Sequence, residues 1–472
     1  VLAVLVVLSG CSTLENADEA ADREKSIPGE RTPRARELAL DAVGPVTLDQ
    51  IVEATLRANP SVVQARRNAE AARARVVEAR GAYFPTVSTG PVAQYSYATQ
   101  NVSAASLGAP GGASSSSASG SQGLELGSAS GVPRGSGSLG LQASWLIYDF
   151  GHTPALVHNA VELALAAESD AVLAEVNATY DARAAFFNLE KEIELLAVAR
   201  ENVRQLAVRL EQVSGSVDVG TRVPYDLTKA QVDLGNGQLD ELKAVAALDT
   251  AEATLAAAVG IAEVVSWTPV ATVTLPPFTL GFDEAARLAE EHEPSLLGGR
   301  AREEAAEAAL SAQVAALAPS LSLAGGISLG GETFPLTWNG NVGPSVNWTL
   351  FNGFANLAQI DEAAANLRAA RASRTQAEVR VFRDARSAFV ALENANKRLD
   401  LATLVVQQST ENLELAQGRF EVGRATSVDL EDAIASLASA RAERVQARAD
   451  RDTAIAQLWK SLGLSRWDGR AP

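Results

Sequence analysis

Cysteine occurs once in the 472 residues, at Cys11, and histidine three times, at His152, His158 and His292. A lone cysteine excludes a disulfide framework within the chain, and none of the histidines has the spacing of metal ligands. HExxH, GxSxG and phosphate-loop patterns are missing as well, and no carboxylate pair is singled out, so enzymatic chemistry, metal and cofactor all lack an anchor. Positive charge is scarce: 40 Lys and Arg stand against 57 Asp and Glu, for a net charge of −17. A nucleic-acid surface needs clustered Lys and Arg to neutralise phosphates, so that partner is excluded; cationic solutes or a basic partner suit the balance better. After residue 10 no stretch approaches the ~18 consecutive apolar residues of a membrane-spanning helix. Any crossing of a bilayer must therefore be made by strands.

The one cysteine follows the apolar run Val1 to Leu8 and closes Leu8-Ser9-Gly10-Cys11, which resembles a bacterial lipoprotein processing site. On that resemblance residues 1–10 are a signal peptide, Cys11 becomes the lipidated first residue of the mature chain, and residues 11–46 form a linker. A buried or incidental thiol is the plain alternative.

The chain is written twice. Leu48-Asp49, Asn59-Pro60-Ser61, Arg66, Glu70-Ala71-Ala72 and Pro85 match Phe282-Asp283, Glu293-Pro294-Ser295, Arg300, Glu304-Ala305-Ala306 and Pro319 at a constant shift of 234. A second gapless match, at a shift of 203, pairs Trp145 with Trp348, Tyr148 with Phe351, Phe186 with Phe389, Gly220 with Gly423, Asp226 with Asp429 and Gly260 with Gly463. Two copies of one unit stand in tandem, repeat 1 over 47–260 and repeat 2 over 281–464, joined by a connection over 261–280 expected to form an equatorial belt. The shifts differ by 31 residues, which must be extra material between Pro85 and Trp145, where Gly111-Gly112-Ala113-Ser114-Ser115-Ser116-Ser117 and further Gly and Ser lie. That composition reads as an exposed loop.

Within each repeat the periodicity switches. Leu321, Leu323, Ile327 and Leu329 alternate with Ser320, Ser322, Gly326 and Ser328, and Val346, Trp348 and Leu350 with Ser345, Asn347 and Thr349. Repeat 1 does the same with Val87, Thr89, Ala93, Tyr95 and Tyr97, then Leu139, Leu141, Ala143, Trp145 and Ile147. A period of two predicts strands with one apolar face, over about 85–97, 138–149, 320–330 and 341–351, hence four in the chain. After the second strand of each repeat run 60 residues, Ala155 to Ser214, and 64 residues, Phe354 to Gln417, without Gly or Pro. These predict long helices over 153–214 and 354–417, each reaching roughly 90 Å at 1.5 Å per residue. Leu196, Ala199, Val203, Leu206, Leu210 and Val213, spaced 3, 4, 3, 4, 3, make a coiled-coil seam, kept more weakly by Leu399, Ala402, Val406, Ser409, Leu413 and Ala416. Glycine turns at Gly220 and Gly423 then lead into returning helices over 225–259 and 427–462, and a tail follows from 465 to 472.

Four strands cannot close a barrel, and open edges are not tolerated in lipid. Identical chains must share one: two would give eight strands with a filled interior, three would give twelve with a lumen. The expected fold is a mixed α/β membrane protein, a homotrimeric 12-stranded β-barrel continuous with a long α-helical coiled-coil tunnel.

The order helix, strand, strand, long helix, glycine turn, helix resembles the TolC-like outer-membrane efflux proteins over about residues 47–464. Trp145-Leu146-Ile147-Tyr148-Asp149-Phe150-Gly151 and Trp348-Thr349-Leu350-Phe351-Asn352-Gly353 resemble the family's strand-to-helix transition, and Arg419-Phe420-Glu421-Val422-Gly423 through Asp429-Leu430 its periplasmic tip. The resemblance implies a lipid-anchored exit channel of the outer membrane with its helices in the periplasm, partnered by a periplasmic adaptor (membrane fusion) protein and an inner-membrane pump, RND type favoured. It places the acidic pair of the periplasmic gate on Asp429 and Asp432 and the adaptor-contact tips on Gly220, Gly423, Arg419, Phe420, Val422 and Thr426. The family's closing arginine, two residues after the tip glycine, falls on Arg222 in repeat 1 but on Ala425 in repeat 2, so a closing pair here is expected to be arranged differently, from Arg222 or Arg424. Set against this, Asp429 at N3 after an N-cap Thr426 is favoured by the helix dipole alone, and Phe420 could cap the helical seam. Trp145 and Trp348 are candidate membrane-interface aromatics, or pack on the helix tops. A type I protein-secretion channel and a helical scaffold are the alternative functions.

Overall fold

The computed structural model describes residues 34–97, 133–220, 223–270, 281–331, 336–422 and 424–465. Cys11 and the signal peptide, most of the Gly/Ser loop, Arg222, Gly423 and the tail from 466 lie outside the described residues. The helices are α1 (Leu48–Ala58), α2 (Pro60–Gly81), α3 (His152–Asp218), α4 (Pro224–Val259), α5 (Phe282–His292), α6 (Pro294–Ala315), α7 (Ala355–Glu421) and α8 (Ser427–Ser461). The strands are β1 (Val43–Val46), β2 (Thr86–Tyr97), β3 (Pro133–Tyr148), β4 (Ser266–Pro269), β5 (Ser320–Gly331) and β6 (Thr337–Asn347).

The described residues divide into two compact units, one drawn from 34–71, 165–301 and 372–465 and one from 72–164 and 302–371. The first holds a core to which both repeats contribute: Ile51, Phe186, Phe187, Leu255, Trp267, Leu296, Leu458 and Leu462 are fully buried in it. The expectation of four strands is corrected here. Residues inside the expected linker and connection, β1 and β4, pair in parallel from Val43↔Ser266 to Val46↔Pro269, and the indole N–H of Trp267 donates to the Asp41 carbonyl at 2.8 Å. A strand of four residues puts only two on each face, too few for an alternation to register. Before α1, Thr47 and Gln50 form a reciprocal capping box. Thr47→Ala is expected to cost about 1 kcal/mol, read as a lowered thermal midpoint of the purified protein.

The second unit is a four-stranded antiparallel sheet in the order β2-β3-β5-β6. Its register puts Leu141 opposite Ile327, Leu329 opposite Trp338 and Leu321 opposite Val346 on one face. The other face pairs Thr86 with Ser144, Ser88 with Gln142, and Ser328 with Asn339. One side of the sheet is thus apolar and the other small and polar. Both repeat shifts meet in one pair of contacts: Trp145 donates its indole N–H to Tyr83 at 2.9 Å and Trp348 to Leu317 at 3.0 Å, and these partners are equivalent under the two shifts. Both tryptophans stay exposed, tied to the turn between helix and strand.

Each long helix has 67 residues, about 100 Å at 1.5 Å per residue. Both overrun the expected ends, passing Gly215 and Gly418 to stop at Asp218 and Glu421. A glycine inside a helix costs only about 1 kcal/mol, and the seam keeps burying side chains up to Val213 and Leu413. At the start of α3, Pro154 sits in the first turn, where no N–H is needed, and the Asp149 carboxylate accepts from the Thr153 N–H at 2.7 Å. Asn352 serves α7 in the same way through the N–H of Asn356 at 3.3 Å. The strands also run differently from their expected limits: β3 begins at Pro133 and β6 spans Thr337–Asn347, because Gly- and Ser-rich sequence carries the ladder where no apolar alternation marks it.

Candidate functional site

Burial follows the heptad spacing along α7. Val381, Ala385, Ala388, Leu392, Ala395, Ala402, Ser409 and Leu413 are buried, and Leu399, Val406 and Ala416 half-buried. The opposite face of the same helix is apolar yet exposed: Val379, Phe382, Val390, Leu401, Leu404, Val405 and Leu415 fall within one stripe at 100° per residue. On α4, Tyr225, Val232, Leu239 and Leu242 are exposed at spacings of 7, 7 and 3. Two unlike apolar faces are thus left uncovered in a single chain.

The tip is built where α3 and α7 end. Gly220 takes φ +79°, in the left-handed region that lets the chain reverse. Around the turns Val219, Val223, Tyr225, Val422 and Val428 are all half or more exposed. Arg419 and Arg424 are exposed too, and the Arg424 N–H donates to the Arg419 carbonyl at 2.8 Å.

At the start of α8, Thr426 and Asp429 form a full capping box. The Asp429 N–H donates to Thr426 Oγ1 at 3.2 Å, while Asp429 Oδ2 accepts from the Thr426 N–H at 2.8 Å and from its hydroxyl at 2.7 Å. These hydrogen bonds, the backbone one first, with the charge of Arg419 behind them, hold the Asp429 carboxyl below the ordinary carboxylate range. Asp429 is therefore a fixed, exposed negative charge. Asp432, one turn on, is exposed and makes no hydrogen bond or ion pair among the described residues.

Phe420 is not an exposed patch: it packs on the cluster of Leu413, Leu430, Ala433, Ile434 and Leu437. The guanidinium of buried Arg209, on α3, lies 4.4 Å from its ring centroid, a cation–π contact. Both groups line a groove of about 730 Å³ between α3, α7 and α8, with Arg204, Glu421, Leu430 and Ile434. Sequence reasoning missed Arg209, and missed Glu431, which pairs with Lys229 across the two repeats while Lys229 also reaches Asp233 at 3.5 Å. Lys229 is the repeat 1 counterpart of Asp432, so the mismatch between the repeats was the available signal.

Among the described residues no helix is long and apolar enough to cross a membrane, and no cluster of potential metal ligands occurs. The family model described as "Outer membrane efflux protein" matches residues 51–261 and 285–464. No curated protein sequence matches the chain. Among solved structures, a membrane protein from Pseudomonas aeruginosa is similar with a TM-score of 0.76 at 19% identity, covering 90% of this chain and 91% of that one. The CmeC outer membrane channel of Campylobacter jejuni gives 0.76 at 16%, covering 88% and 85%. The MtrE outer membrane channel of Neisseria gonorrhoeae, in its open state, gives 0.71 at 21%, covering 90% and 91%.

Proposed function

Because the chain belongs to the outer membrane efflux protein family, whose members are channels of the outer membrane and not enzymes, we propose that it is the exit duct of a tripartite efflux system, passively conducting small molecules handed over by an inner-membrane pump and a periplasmic adaptor. The observation that carries this reading is the sheet in which, among the described residues, β2 and β6 are the edges and pair on one side only. Unpaired strand edges cannot remain in hydrocarbon, so three chains join their sheets into one twelve-stranded barrel around a lumen. Its apolar face meets lipid and its polar face the lumen.

The helical surface agrees. The exposed faces of α7 and α4 differ, and two unlike faces that meet head to tail generate a ring. A homotrimer covers on each chain what that chain leaves bare. Cys11, lipid-modified, anchors each protomer to the membrane, with the helices in the periplasm. The exposed valines and Tyr225 at the tips, together with Gly220, Arg419, Val422, Gly423 and Thr426, form the surface that an adaptor covers; Phe420 acts from beneath it, stiffening the tip through Arg209. An RND-type pump is the favoured partner.

Threefold symmetry gathers Asp429 and Asp432 into a ring of negative charge at the gate, which favours cations. Arg222, Arg424 and the Lys229–Glu431 pair are the groups that hold the tip closed. Asp429→Asn with Asp432→Asn preserves the cap and removes the charge. In planar bilayers this double variant is expected to lose most of the wild-type preference for cations. An unchanged reversal potential would assign the selectivity to other residues.

A further inference from the structure

The junctions where one short helix hands over to the next are built alike in the two repeats, with Asn59 of the first replaced by Glu293 in the second. In repeat 1, Asn59 follows α1. Its Oδ1 accepts from the N–H of Ser61 at 2.9 Å and from the Ser61 hydroxyl at 2.6 Å, while its Nδ2 donates to the Ala258 carbonyl at 2.8 Å, at the end of α4. In repeat 2 the same place is Glu293, and the counterpart of Ala258 is Ser461, at the end of α8. The neighbouring glycines confirm the equivalence. A Cβ on Gly260 would stand 3.0 Å from Asn59 Cα, and one on Gly463 would stand 2.8 Å from Glu293 Cα.

Glu293 is 7% exposed. Its carboxyl takes hydrogen bonds from Ser295, as Asn59 does from Ser61, and its Oε2 is left without a hydrogen-bond partner. An amide has a donor for a backbone carbonyl and a carboxylate has none, but a carboxylic acid has one. The ionisable groups around it are Asp384 on α7, held by the Arg383 guanidinium at 2.6 Å, and Lys460 on α8, whose ammonium lies 4.6 Å from the Tyr180 ring centroid. His292 precedes it on α5, with Nδ1 3.2 Å from the Leu288 carbonyl. Burial first, and then the charge of Asp384, push the Glu293 carboxyl up to about 7 against the lowering by Ser295 and Lys460.

We propose that Glu293 is a proton-holding residue: its neutral carboxylic acid ties the α5–α6 junction to the end of α8, as the Asn59 amide ties α1–α2 to the end of α4, and mildly alkaline surroundings release the tie. The folded-state pKa lies above the unfolded one. The contribution to stability is therefore complete below the unfolded value of 4.5, declines as pH rises, and is lost above about 7. Its full size is on the order of a hundredfold in the folding equilibrium.

The test compares thermal unfolding of the assembled full-length protein from pH 5 to pH 9 with that of Glu293→Gln, whose amide carries the donor permanently. The wild-type midpoint is expected to fall between pH 5 and pH 8, while the variant matches it at pH 5, stays flat and is the more stable above pH 8. An equal decline in both proteins overturns the proposal, and so does a variant that fails to fold or is destabilised at pH 5. Infrared spectroscopy of the wild type gives a second reading: a protonated-carboxyl stretch must persist at pH 6 and bleach near pH 7, and its absence at pH 6 has the same contrary meaning.

Discussion

Arginine at Ile327 is expected to abolish assembly in the outer membrane, whereas arginine at the adjacent Ser328 is expected to leave it intact. Ile327 is 44% exposed and lies between Leu141 and Gly340, on the face that carries Leu139, Leu323, Leu329, Trp338 and Val342. Ser328 lies between Gly140 and Asn339, on the face of Gln142, Ser144 and Asn341. If the first face meets lipid, a buried guanidinium there costs about 2–4 kcal/mol per chain near the midplane, and every chain of the assembly bears it. On the lumen face the same group stays in water, so Ser328→Arg should assemble and shift the channel's preference toward anions. Unheated gel electrophoresis of the outer-membrane fraction separates the outcomes. Equal assembly of both variants would mean that this sheet does not face lipid.

Gly463→Val is expected to be the most damaging single change outside the sheet. Gly463 holds φ +71°, and a Cβ there would stand 2.6 Å from the His292 carbonyl oxygen and 2.8 Å from Glu293 Cα. Both are backbone atoms, which no rotamer change can move aside. A left-handed conformation costs a substituted residue roughly 1–2 kcal/mol, and overpacking of this kind adds about 1–3 kcal/mol. The combined loss of about 2–5 kcal/mol should appear as a sharply lowered melting midpoint and a poor yield of folded protein. Gly215→Ala is the control: nothing lies within 4 Å of its Cβ position, and within α3 alanine gains up to about 1 kcal/mol. Equal midpoints for the two variants would contradict the packing described at the α5–α6 junction.

What the sequence made legible was repetition and periodicity. The doubled shift needs no structure to be seen, and it reappears in the paired bonds of Trp145 to Tyr83 and Trp348 to Leu317. The seam from Leu196 to Val213 could be read because coiled-coil packing demands apolar residues at 3 and 4. The strands β1 and β4 could not, being too short to alternate. Neither could the helix ends beyond Gly215 and Gly418, where the local cost of glycine is outweighed by a seam that burial alone reveals. At the tip, sequence spacing brought Asp429 and Asp432 forward, yet the pair of Lys229 with Glu431 and the stacking of Arg209 on Phe420 join residues far apart in the chain. Such contacts leave no local pattern. Glu293 stands between these cases: its mismatch with Asn59 was visible in the repeat, but only its burial gives the difference a chemical meaning.

The sharing of one barrel among identical chains is tested most directly by the mass of the particle extracted from the outer membrane, measured by native mass spectrometry. Three chains in every particle, with none below that number, is the predicted result. A stable particle of one chain, its β2 and β6 edges unpaired, would contradict it.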